Sequence, residues 1–105
     1  MSKHLLKRVE IIKIQASAQG DINAKNFFED CGKVIAKLAA DISNITHDEL
    51  KELIKKLVDM GRFLDDNTKL LDRKYRDDPA IWLDLTIFFD SGKKDINSKL
   101  YGVKY

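Results

Sequence analysis

The sequence predicts an all-α fold, an antiparallel up-and-down four-helix bundle with a short basic C-terminal tail. Three observations carry that reading. Apolar residues recur at three-and-four spacing from Leu5 to Val103. Helix-start signals separate these runs at short intervals. One proline and five glycines are too few for a loop-rich sandwich or barrel. With 105 residues, 44% of them hydrophobic, residues 1–105 form a single helical domain with one core, and the tail occupies about 93–105.

The first helix is expected from Ser2 to about Gln19, because Leu5, Val9, Ile12 and Ala16 fall on one face. Gly20 follows as the residue that ends it. A second helix, capped at Asn23, repeats Phe27, Cys31, Val34, Leu38 and Ile42, with Phe28, Ile35 and Ala39 widening the stripe. It stops near Ser43 and Asn44.

Asn44-Ile-Thr-His-Asp-Glu-Leu50 then carries a complete start signal. Thr46 and Glu49 have capping-box spacing, and Ile45 is placed to staple onto Leu50. The third helix is the longest and reads Leu50, Leu53, Leu57, Met60, Leu64 and Leu71, with Ile54, Val58 and Phe63 beside them. Asp65-Asp-Asn-Thr68 are poor helix formers, so the helix either bends there or continues to about Arg76 with a polar layer.

Asp77-Asp78-Pro79 opens a fourth helix, with Asp78 as its cap and Gly92 as its end. Ala80 to Phe89 is apolar on nearly every side, which requires a central position or a cover. A last turn around Asn97 to Tyr101 is allowed within the tail. Short connections make neighbouring helices antiparallel and bring both termini to one end.

The net charge of +2 implies no partner by itself, but its distribution is uneven. Residues 1–20 and 93–105 each carry +3, and the segment between them carries −4. Cys31 is the single cysteine and reads as a small core residue, so nothing suggests an oxidising compartment. The charged N-terminal stretch lacks the apolar core of a secretory signal, and no run approaches the ~18 apolar residues of a spanning helix. The expectation is a cytoplasmic protein without a membrane span.

Chemistry finds little footing. His4 and His47 are the only histidines, and neither has metal-ligand or nucleophile spacing around it. The glycines are isolated, so no phosphate-binding loop is present. Asp65-Asp66 and Asp77-Asp78 lack the oxygen-ligand spacing of an EF-hand loop. Acids alternate with lysines on the third helix, as in Glu52 with Lys55 and Lys56 and Asp59 with Arg62, the pattern of a solvated face. Histidine phosphotransfer domains share the bundle size, but Thr46-His-Asp-Glu49 places two acids beside the histidine, where they repel a phosphoryl group. The chain is expected to be no enzyme and to need no cofactor.

Binding is the remaining class. Gly32 and Gly61 lie equally far from the Ile45 turn and are expected to face one another across the second and third helices. Ile81, Trp82, Leu85, Phe88 and Phe89 leave one stripe over once the bundle is filled. The expected partner-binding set is Trp82, Phe88, Phe89, Lys93, Lys94, Lys99, Tyr101, Lys104 and Tyr105. It suits a small adaptor, inhibitor or immunity-type protein that binds another protein, or covers the stripe by homo-oligomerisation. The alternative is a nucleic-acid-associated accessory protein using the basic end, with lysines on phosphates and Tyr101 and Tyr105 stacking on bases. In size, helical makeup and basic tail the chain is similar to bacteriocin immunity proteins and small phage or plasmid inhibitors. That likeness is architectural, and fold alone does not license function.

Overall fold

A computed structural model gives the architecture and describes residues 2–40 and 44–102. Four helices follow in order: α1 (Ser2–Ala18), α2 (Ile22–Ala39), α3 (His47–Lys74) and α4 (Ile81–Tyr101). They form an elongated bundle of 42 × 22 × 21 Å, in which α1 packs most closely on α2 and α3 on α4. The stripes expected on α1 and α3 are buried, whereas on α2 the expected stripe is buried only as far as Ile35, with Leu38 half-buried and Ala39 exposed where the helix ends. Leu5, Val9, Ile12 and Ala16 of α1 meet Phe27, Phe28, Cys31, Val34 and Ile35 of α2, with the six expected residues of α3 beside them.

An aromatic group fills the wide part of this core. Phe27 stacks on Phe63 at 4.5 Å, and Phe28 lies edge-on to Tyr75 at 5.8 Å with Trp82 at 6.1 Å. Such pairs add about 0.5–1.5 kcal/mol each beyond their buried area.

The start of α3 behaves as its sequence dictates. Thr46 Oγ1 accepts the Glu49 N–H at 3.2 Å and its hydroxyl donates to Glu49 Oε1 at 3.1 Å, while Ile45 packs against the core that Leu50 enters. Asp65 to Thr68 does not break the helix. Asn67 Nδ2 donates to the Phe63 carbonyl at 2.8 Å and Thr68 Oγ1 to that of Leu64, so these polar side chains are satisfied one turn back and α3 continues to Lys74.

Several local expectations are corrected. Asp21, not Asn23, caps α2, its Oδ1 accepting the Ala24 N–H at 3.3 Å. Gly20, at φ +71°, turns the chain sharply enough to bring Asp21 to that position. Asp78 does not cap α4; the N-cap is Ala80 without a side-chain bond, because the Asp78 carboxylate is taken by Arg8 of α1. Gly92 does not end α4 but lies buried inside it, where Leu38 and Leu57 leave little room for a side chain. The basic stretch is therefore no separate tail as far as Tyr101: Ile96 is buried and Leu100 packs on the core, which holds the helix until Gly102 closes it at φ +65°. Ile42, Lys104 and Tyr105 lie outside the described residues.

Gly32 and Gly61 do not face each other. A Cβ on Gly32 would look toward Leu6 and Glu10 of α1, whereas one on Gly61 would meet nothing within 4 Å. The angular phase of each glycine on its own helix, invisible to a count from the turn, decides this.

Candidate protein-binding face between α1 and α4

α1 and α4 run antiparallel and are joined by one polar clamp. Arg8 donates through Nε and Nη2 to Asp78, at 2.6 and 2.9 Å, and through Nη1 to Asp84 at 2.7 Å. The two carboxylates hold the guanidinium pKa far above its ordinary value, Asp78 contributing first and Asp84 second. Two turns beyond on α1, Gln15 Nε2 donates to Asp77 at 3.0 Å. These bonds set the register of the pair: the C-terminal end of α1 lies at the start of α4, and His4 lies opposite Phe88 and Ser91.

Beside the clamp a groove of about 420 Å³ opens, lined by His4, Leu5, Arg8, Asp84, Ile87, Phe88 and Ser91. Its floor is apolar, with Leu5 buried and Phe88 half-buried. The same two helices expose aliphatic side chains: Leu83 (64% exposed) and the groove residue Ile87 (47%) stand one turn apart on α4, and Ile11 (55%) and Ile14 (64%) one turn apart on α1. Tyr101 (66%) ends the same ridge of α4, with Lys94 two turns from both Ile87 and Tyr101. Among the described residues the other large exposed aliphatics are Ile22 on α2 and Leu70 on α3.

The expected partner-binding residues are thus divided by the fold. Trp82 (6% exposed) and Phe89 (2%) are core residues, and Trp82 Nε1 donates to Asp72 at 3.2 Å. Phe88 lines the groove. Lys94, Lys99 and Tyr101 are exposed on the last turns of α4, whereas Lys93 turns toward α3 and pairs with Asp90 at 3.4 Å. The stripe left over on α4 exists, but it is aliphatic rather than aromatic, because the larger rings fill the wide part of the core. Ile11, Ile14, Leu83 and Ile87 were missed, although their signal is present in the sequence as apolar residues out of phase with the buried spacing. Arg8 is 70 positions from Asp78 and 76 from Asp84, so the clamp gave no local signal.

Elsewhere the surface is balanced. A cleft of about 480 Å³ between α2 and α3 has Val34 and Leu53 at its base and Lys33, Lys37 and Lys56 mixed with Asp48, Glu49 and Glu52 around it. Lys37 pairs with Glu49 at 2.7 Å and, with Thr46, holds its carboxyl below the usual range. The expected pairing of Glu52 with Lys55 is present at 3.9 Å. Among the described residues no group of three or more His, Cys, Asp or Glu side chains is gathered as metal ligands, and no helix is long and apolar enough to cross a membrane. Compared with protein-family models, curated proteins and solved structures, the chain matches none.

Proposed function

We propose that this protein works by binding another protein through the α1/α4 face and performs no chemistry of its own, as an adaptor, inhibitor or immunity-type protein does. The observation that carries the reading is a groove between α1 and α4 floored by Leu5 and Phe88 and edged by exposed Ile87, on two helices that also expose Ile11, Ile14 and Leu83. Single exposed aliphatics are ordinary on any surface, but several on two adjacent helices with an apolar groove between those helices are what an interface core requires. The Arg8 guanidinium at the groove is already paired with Asp78 and Asp84, which lowers the cost of covering it.

Nucleic acid is the weaker reading. Lys94 and Lys99 are interleaved with Asp90 and Asp95 along α4, so the helix presents no unbroken basic stripe to a phosphate backbone.

The test is capture of partners from the native host with wild-type protein and with the double substitution Leu83→Glu and Ile87→Glu. Both sites are solvent-exposed, so the fold is retained. Association lost in the double variant supports the reading; association of every kind, self-association included, that survives it defeats the reading.

A further inference from the structure

Resting on the protein-binding reading above, we infer that the groove between α1 and α4 receives a basic side chain of the partner, an arginine or lysine whose alkyl stem lies on Leu5, Ile87 and Phe88 and whose cationic head meets the Asp84 carboxylate. Charge is the first reason. At the clamp one guanidinium faces two carboxylates, so Arg8, Asp78 and Asp84 together keep one net negative charge. Arg8 meets both oxygens of Asp78 but only Oδ2 of Asp84. Asp84 is also the more exposed carboxylate, at 39% against 27%, and the one of the two that lines the groove. A carboxylate engaged by one nitrogen retains lone pairs for a second donor.

Shape is the second. Ile87 and Phe88 stand three and four positions from Asp84, one turn away on α4, a separation of ~5–6 Å that a lysine or arginine stem spans. Such side chains bury the stem along apolar surface and leave the charged head at a polar rim. The groove has that division, with Leu5, Ile87 and Phe88 supplying the apolar wall and Asp84 the polar end. The ring of Phe88 adds an aromatic face, to which a cation is attracted.

The other occupants fit less well. An acidic side chain would set like charge against Asp84, and a wholly apolar one would cover the excess negative charge without pairing it. Apart from Arg8 and Asp84, the ionisable side chain lining the groove is His4, while exposed Lys7 and Lys94 stand outside the lining.

Hexylguanidinium, an alkyl stem ending in the head group of arginine, is the probe, and hexanoate, a similar stem with the opposite charge, is its control. Each is titrated into the isotope-labelled full chain and followed by NMR. Hexylguanidinium is expected to shift the Leu5 and Ile87 methyl signals and the Phe88 ring signals saturably, and hexanoate to bind about tenfold more weakly, a preference that shrinks at high salt. Asp84→Asn keeps the size of the side chain and removes the excess charge. It is expected to abolish the preference while the helical circular-dichroism signal stays unchanged, whereas His4→Gln is expected to keep it. A probe that shifts none of the three residues overturns the inference, as does hexanoate bound as tightly by the wild-type protein, a preference that survives Asp84→Asn, or one that His4→Gln removes. Such a result beside host-protein capture that still depends on Leu83 and Ile87 overturns the cationic occupant and leaves the proposed function standing.

Discussion

Tyr75 donates its hydroxyl to Asp21 Oδ2 at 2.9 Å, so the residue that ends α3 holds the residue that starts α2, 54 positions away. The ring of Tyr75 is buried against Phe28, and burial first, then the neighbouring carboxylate, drives its phenol pKa well above the ordinary tyrosine value. Asp21 also accepts from Lys74 and from the Ala24 N–H. One carboxylate thereby serves two helix ends.

Tyr75→Phe keeps the ring and removes the hydroxyl. It is expected to cost about 1.5–3 kcal/mol, the value of one hydrogen bond to a charged acceptor. Urea unfolding of the two proteins measures it, and unchanged stability would refute a role for this contact.

Asp21 makes part of that stability depend on acid. Lys74 first, and then Tyr75 and the Ala24 N–H, hold its carboxyl below the ordinary value, with burial opposing them. Because the folded pKa is the lower one, the contribution is complete above the unfolded value of about 4 and is lost as pH falls below it toward the folded value. Asp21→Asn is expected to be less stable at pH 7 and to show a shallower loss as pH falls below about 4. Thermal unfolding at closely spaced pH values compares the two slopes.

Arg8 is expected to be irreplaceable by lysine. A guanidinium reaches Asp78 with two nitrogens and Asp84 with a third, a fork that an ammonium cannot form. The three side chains are 27–39% exposed, which keeps the effect of Arg8→Lys near ~1 kcal/mol. A double-mutant cycle with Asp78→Asn should show coupling of about the same size at low salt and less at high salt.

Two helical glycines should respond in opposite ways. Gly61 has open space where a Cβ would go, so Gly61→Ala is expected to stabilise by about 1 kcal/mol. At Gly92 the added Cβ would lie 3.1 Å from Leu38 Cδ1 and 3.3 Å from Leu57 Cδ1. Crowding there offsets the helix gain, and Gly92→Ala is expected to be neutral or to lose up to about 2 kcal/mol. Melting temperatures of the pair give the order.

Cys31 should be silent toward thiol reagents in the folded protein. It is fully buried with its sulfur 3.9 Å from that of Met60, and burial, with the charge of Asp30 second, pushes its thiol well above the ordinary range. Labelling by a disulfide reagent is expected to be slower by about a thousandfold or more than in urea, following the opening equilibrium. Rapid labelling of the native protein would contradict its place in the core.

Residues that answer to their own neighbours were legible in the chain. The Thr46–Glu49 start of α3 and the buried stripes of α1 and α3 follow from bonds and spacings within about two turns. Residues whose partners lie elsewhere were not. Asp78 has the composition of a cap, but a guanidinium from α1 takes it; Gly92 resembles a stop, but Leu38 and Leu57 make it a contact point. In the candidate face the same division holds. A leftover stripe on α4 was predictable from its all-round apolarity, but its membership was not, because the choice between Trp82 and Leu83 depends on which rotation of α4 buries more surface against Phe28 and Tyr75.

The sequence by itself therefore determined the number of helices, their order and the faces that three of them bury, since periodicity and capping are local and act before any tertiary contact forms. Only the tertiary structure decided how far α4 runs, which of its faces meets water and where the Arg8 clamp joins α1 to α4. Those outcomes depend on the relative phase and depth of helices far apart in the chain, and the packing of large rings in one shared core fixes them all together.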